Sequence, residues 1–61
     1  MMKTIAIGET NRGLMVETVE GVNDPWLYRT YVRGVDGFNI GANSLGGALR
    51  DFARFMAEFT Q

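Results

Sequence analysis

Sixty-one residues with a net charge of −1 and a pI near 5.1 make one domain, close to the lower size at which a single hydrophobic core folds without a staple. Cysteine and histidine are both absent, which excludes disulfides, thiol nucleophiles, thiolate metal sites and imidazole ligands or bases. The acidic balance argues against a general affinity for nucleic acid or anionic lipid, and no apolar run approaches the ~18 residues of a membrane span.

Met1-Met2-Lys3 leads into a strand pattern rather than a signal-peptide core, so it reads as a native start and a cytoplasmic protein is the expectation. Residues 4–9, TIAIGE, alternate with Ile5 and Ile7 on one side and Thr4, Ala6 and Gly8 on the other, the period of a half-buried strand. Thr10-Asn11-Arg12-Gly13 carries turn chemistry. As a four-residue hairpin loop it sets Glu9 against Leu14, Ile7 against Val16 and Ile5 against Thr18.

Residues 14–20 form the second predicted strand, with Leu14, Val16 and Thr18 inward and Met15, Glu17 and Val19 outward. The irregular segment 21–25, GVNDP, turns the chain, because the residue before proline avoids helical geometry. Residues 26–33, WLYRTYVR, are rich in aromatic and β-branched side chains and predict a third strand. With Tyr28, Thr30 and Val32 inward, Arg29, Tyr31 and Arg33 face out beside Glu17, where a carboxylate and an arginine can pair across strands.

Asp36-Gly37 signals a tight type I′ hairpin. A strict two-residue loop would put Phe38 and Ile40 on the side of Arg33, against the register above, and a bulge at Gly34 resolves the conflict. A short fourth strand over 37–41 then leads to a helix over 44–59, N-capped by Asn43 or Ser44. Leu45, Ala48, Leu49, Phe52, Phe55, Met56 and Phe59 recur three and four residues apart and share one helix face. Each large side chain buried there contributes about 1.5 to 3 kcal/mol.

The expected fold over 1–61 is therefore α+β: an antiparallel three- to four-stranded β-meander followed by one C-terminal α-helix packed on one sheet face. The other face, with Thr4, Ala6, Gly8, Met15, Glu17, Val19, Arg29, Tyr31 and Arg33, has no second helix to cover it.

The carboxylates, two tyrosines and Lys3 are the remaining acid–base candidates, and no spacing forces two of them into one pocket, so no catalysis, metal or cofactor is expected. The glycine-rich run 41–47 at the helix start lacks both G-x-x-x-x-G-K-[ST] and G-x-G-x-x-G, and reads as a tight strand-to-helix corner. Two surface patterns remain. Trp26, Arg29, Tyr31 and Arg33 interleave aromatic and basic residues, the means by which open sheets hold single-stranded nucleic acid. In element order the chain resembles the PC4-like and whirly single-strand-binding proteins, which implies a nucleic-acid-binding homodimer.

The second pattern is acidic. Glu17, Glu20 and Asp24 run into the loop and Asp36 sits in the next turn, so that spaced carboxylates can imitate duplex phosphates locally. Trp26 is either a plug at the mouth of the core or an exposed interface anchor. In size and composition the chain resembles the small phage-encoded inhibitors of bacterial defence of the anti-CRISPR type. That resemblance implies a non-enzymatic protein in the host cytoplasm, a monomer or homodimer. It would occlude a DNA-binding or subunit-docking surface of a CRISPR effector, and the surface patterns of this chain offer Glu17, Glu20, Asp24, Trp26, Tyr31 and Asp36 for that contact. The wide helix stripe leaves room for packing against a second copy.

Overall fold

The structure, a computed structural model, describes residues 2–21 and 26–59. Its elements are β1 (Lys3–Glu9), β2 (Met15–Glu20), β3 (Tyr28–Val32), β4 (Asn39–Ala42) and α1 (Leu45–Glu58). The strands form one antiparallel sheet in the order β1-β2-β3-β4, and α1 packs across one face, as the hydrophobic periods predict. Among the described residues no helix is long and apolar enough to cross a membrane.

The expected faces hold for β2 and β3. Val16 lies opposite Val32 and Thr18 opposite Thr30 beneath the helix, while Glu17 and Tyr31 are paired on the other side. β1 is turned over relative to the expectation. Its loop has three residues, Asn11–Gly13, because the Thr10 amide donates to the Leu14 carbonyl at 2.8 Å and the Thr10 hydroxyl accepts from the amides of Arg12 and Leu14. Gly13, at φ 79°, takes the left-handed position that such a loop requires. Glu9 thus pairs with Met15, Gly8 with Val16 and Ile7 with Glu17. A one-residue slip exchanges the faces of a strand, so Ile7 lies on the open face and Ala6 and Gly8 lie under the helix. A bulge between Thr4 and Ala6 restores the expected register at Thr4, opposite Val19.

β3 is shorter than predicted: Trp26 and Leu27 precede it, and Arg33 follows it while still donating its amide to the Met15 carbonyl at 2.9 Å. No two-residue turn forms at Asp36-Gly37. Val32 donates to the Phe38 carbonyl at 3.0 Å, closing a loop over 33–37, and Val35 donates to the Val32 carbonyl at 3.3 Å. Gly34, at φ 73°, belongs to that loop rather than to a bulge in the strand. The outcome for the core is the expected one, because Ile40 sits opposite Thr30 on the helix side. β4 begins two residues later than predicted, at Asn39.

Ser44 is the N-cap of α1, its hydroxyl accepting from the Gly47 amide at 3.1 Å. The core lies under the C-terminal half of the helix, where Phe55 meets Val16 and Val32 and is flanked by Phe52, Met56, Phe59, Phe38 and Ile40. Phe38 stands edge-on to Phe55 and Phe59, with ring centroids 5.4 and 4.9 Å apart. Beneath the N-terminal half the packing is polar. The fully buried hydroxyls of Thr18 and Thr30 are 2.7 Å apart, and Thr30 donates to the Ala48 carbonyl at 3.4 Å. The predicted stripe is therefore covered only in part: Leu45 and Leu49 remain 47% and 40% exposed.

Candidate functional site

The face of the sheet away from α1 is built around one carboxylate. Glu17, at the centre of β2, is only 6% exposed although no helix covers it. The Thr4 hydroxyl donates to its Oε2 at 2.5 Å, while the Tyr31 hydroxyl at 2.7 Å and Arg33 Nη2 at 3.0 Å both donate to its Oε1. Neighbouring strands bring these groups in from both sides, β1 through Thr4 and β3 through Tyr31 and Arg33. The Thr4 and Tyr31 hydrogen bonds, aided by Arg33 and opposed by burial, lower the Glu17 carboxyl from its ordinary 4.5 to about 2. The same carboxylate raises the Tyr31 phenol and the Arg33 guanidinium above their usual values.

Beside this network, Arg29 Nη1 donates to Asn39 Oδ1 at 2.6 Å, which holds one arginine against β4. Trp26 lies over Gly41: a Cβ at that glycine would fall 2.1 Å from the indole Cγ. Gly41 pairs with Arg29, and Arg29 with Val19, so the indole rests on the open face next to that row. The tryptophan is neither of the alternatives that its sequence position suggests in pure form. It is 37% exposed, seated on the sheet backbone rather than in the mouth of the core. Ile7, 49% exposed, completes the apolar part of the face opposite Glu17.

Trp26, Arg29, Tyr31 and Arg33 are thus gathered on one surface. The acidic candidates are not. Glu17 is buried within its own hydrogen bonds, Glu20 is half-buried at the far end of β2, Asp36 is exposed in the loop at the opposite end of the sheet, and Asp24 lies outside the described residues. A concavity of about 430 Å3 in the hairpin over 31–39 contains Arg33 and Asp36 but no second carboxylate. Among the described residues no cluster of three or more carboxylates could hold a metal ion.

Sequence reasoning put Thr4 on this face without its bond to Glu17, and did not single out Asn39, Ile7 or Gly41 as part of it. Gly41 carried a usable signal, since glycine inside a strand marks close approach by another group. Comparisons with protein families, with curated proteins and with solved structures give no match, so the functional reading rests on this geometry.

Proposed function

We propose that the chain is a non-enzymatic binding protein that acts by covering a surface of a larger protein, with the open sheet face as its contact. The observation that carries this reading is the gathering of Trp26, Arg29, Tyr31 and Arg33 beside exposed Ile7 on one rigid face. Tryptophan, tyrosine and arginine are the residues that dominate binding energy at protein interfaces. Trp26 on Gly41 and Tyr31 on Glu17 are held in place before any partner arrives, which lowers the ordering cost of association.

The anti-CRISPR resemblance in size and composition makes a nucleic-acid-handling subunit of a CRISPR effector in the host cytoplasm the first partner to try, and occlusion of its DNA-binding or docking surface the mode of inhibition. Local DNA mimicry draws less support from the geometry than the aromatic–arginine face, because its carboxylates are dispersed and Glu17 is occupied by Thr4, Tyr31 and Arg33. The test is capture of purified effector complexes by the immobilised chain, together with inhibition of their target cleavage. The Trp26→Ala/Arg29→Ala variant should lose at least about tenfold in affinity, about 1.4 kcal/mol, while keeping the wild-type circular dichroism. A folded variant with undiminished affinity would remove this face from the contact.

One arrangement favours a second reading: Arg29 and Arg33 flank Tyr31 along β3 and its end, with Trp26 on the same side, which suits a single-stranded nucleic acid stacked on the rings. Fluorescence anisotropy of a labelled oligonucleotide at low salt separates the two. Binding that weakens steeply with salt, with Arg29→Ala and Arg33→Ala each lowering the salt slope by about one, would make nucleic acid the ligand. Absence of binding leaves a protein.

A further inference from the structure

The tip of the hairpin between β3 and β4 carries chemistry that the open face does not use. Asp36 and Gly37 are both exposed there. Among the described residues the Gly37 amide has no hydrogen-bond partner, since the bonds that close the loop are donated by Val32 and Val35. A Cβ built at Gly37 would meet nothing within 4 Å, so the space around that residue is open. Its φ of 89° is backbone that glycine adopts at no steric cost. The Asp36 carboxyl is thus followed in the chain by an unbonded and uncrowded amide nitrogen.

We propose that Asp36 is a site of spontaneous covalent rearrangement to isoaspartate, and that the rearrangement loosens the hairpin end of the core. The Gly37 amide nitrogen attacks the Asp36 side-chain carbon Cγ. The N–Cγ bond forms, a Cγ–O bond of the carboxylic acid breaks, and the amide hydrogen leaves with that hydroxyl as water, giving a cyclic imide. Uptake of one water then opens the imide at either carbonyl. Opening at Cγ restores aspartate, whereas opening at the main-chain carbon leaves the backbone running through Cβ and Cγ. Nothing is oxidised or reduced, water is the sole co-reactant, and the final mass is unchanged.

Elsewhere among the described residues the same reaction is held back. Asp51 lies inside α1, where backbone amides are engaged in the helix, and its Oδ1 accepts from Arg54 at 3.3 Å. After Asn11, the Arg12 amide donates to the Thr10 hydroxyl at 3.2 Å. Asn39 accepts from Arg29 and is followed by β-branched Ile40 within β4. Asn43 is followed by Ser44, whose side chain is tied to the Gly47 amide at the N-cap. At Asp36 alone do a following glycine, open space and an unbonded amide coincide.

The consequence falls on the core rather than on the open face. Isoaspartate adds one atom to the main chain between Val35 and Phe38, in the loop that the Val32 amide closes onto the Phe38 carbonyl at 3.0 Å. Phe38 stands edge-on to Phe55 and Phe59, so a lengthened loop displaces a ring of the core. Arg33, at the other end of the loop, keeps its bonds to Glu17 and to the Met15 carbonyl. The inference does not depend on what the open face binds.

The experiment is ageing of the full folded chain in warm neutral buffer, followed by trypsin, which releases residues 34–50 as one peptide. Isoaspartate is labelled with an isoaspartyl methyltransferase and labelled S-adenosylmethionine. The labelled peptide should accumulate with time as a second chromatographic form of unchanged mass, and fragmentation should place the altered linkage at Asp36. Asp36→Glu, whose imide ring would be one member larger, should lose the label. Asp36→Asn, which expels ammonia in place of water, should form it faster than wild type. The isoaspartate form, separated from its parent, should melt lower by about 4 °C or more. Label that appears only in chain aged in urea, label that persists in Asp36→Glu, an Asp36→Asn variant no faster than wild type, or an isoaspartate form that melts with its parent would each overturn the proposal.

Discussion

On the helix-covered face Val16, Val32 and Phe55 exclude water among themselves and need only shape to do so, whereas the open face is ordered by a carboxylate that collects two hydroxyls and a guanidinium. The covered face holds the fold together through area and packing. The other holds side chains in position through directional bonds, and it leaves Trp26, Ile7 and two arginines presented to solvent. A domain this small has little stability in reserve, so an ordered open face costs stability unless its polar groups satisfy one another. Glu17 meets that requirement. Among the described residues no buried side-chain polar atom is left without a partner.

The largest break in this comparison comes from the covered face. Phe55→Ala removes the ring that touches Val16, Val32 and Phe38, and should cost about 3 to 5 kcal/mol. At about 4 to 8 °C per kcal/mol for a domain of this size, the thermal midpoint should fall by about 12 to 40 °C. A circular dichroism melt checks it. A loss below 1 kcal/mol would mean that Phe55 is not the centre of the core.

The intermediate effect belongs to Glu17 and depends on pH. Its carboxyl titrates near 4.5 in the unfolded chain and near 2 in the fold, so the unfolded state takes up a proton first as acid is added. The stabilisation is therefore complete above about pH 4.5, declines as the pH falls toward 2, and is absent below. Its size is on the order of 3 kcal/mol. Glu17→Gln keeps the shape and loses the charge. It should be less stable than wild type by about 2 kcal/mol at neutral pH, and the gap should close in urea titrations carried down to pH 2. A gap of constant size across that range would show that the carboxylate is not what orders the face.

Most of this architecture is legible from residue order alone. The three- and four-residue spacing of α1 and the alternation in β2 and β3 each have one interpretation, and the pairing of Glu17 with an arginine follows from that register. Ile7 was unreadable for a specific reason. Thr10 can end a strand or begin a turn, and its hydroxyl, by accepting two amides, makes it a strand end; that single choice of loop length exchanges the faces of β1. Leu45 and Leu49 repeat with the same period as Phe52 and Phe55, so the pattern cannot tell that the sheet under the first helical turns offers threonines instead of aliphatics. The open-face arginines and aromatics are legible together because they fall within one short run of sequence, 26–33, around β3. Thr4, Asn39 and Gly41 reach the face from other strands, and their partners are fixed only once the registers are.

The smallest effect tests the polar seam where the two halves of the covered face differ. Thr18 and Thr30 exchange a hydrogen bond at 2.7 Å with no exposure to water, and Thr30 has the Ala48 carbonyl as a second partner. Thr30→Val alone leaves the Thr18 hydroxyl buried without its partner and should cost about 1 to 2 kcal/mol. Thr18→Val together with Thr30→Val removes both hydroxyls and keeps the volume. The double variant should then recover most of that loss, because an apolar pair has nothing left unsatisfied and adds area beneath Ala48. The readout is the coupling in a double-mutant cycle of urea midpoints. Strong negative additivity, with the double variant worse than the sum of the single ones, would mean that the hydroxyl pair positions α1 on the sheet rather than merely filling the space beneath it.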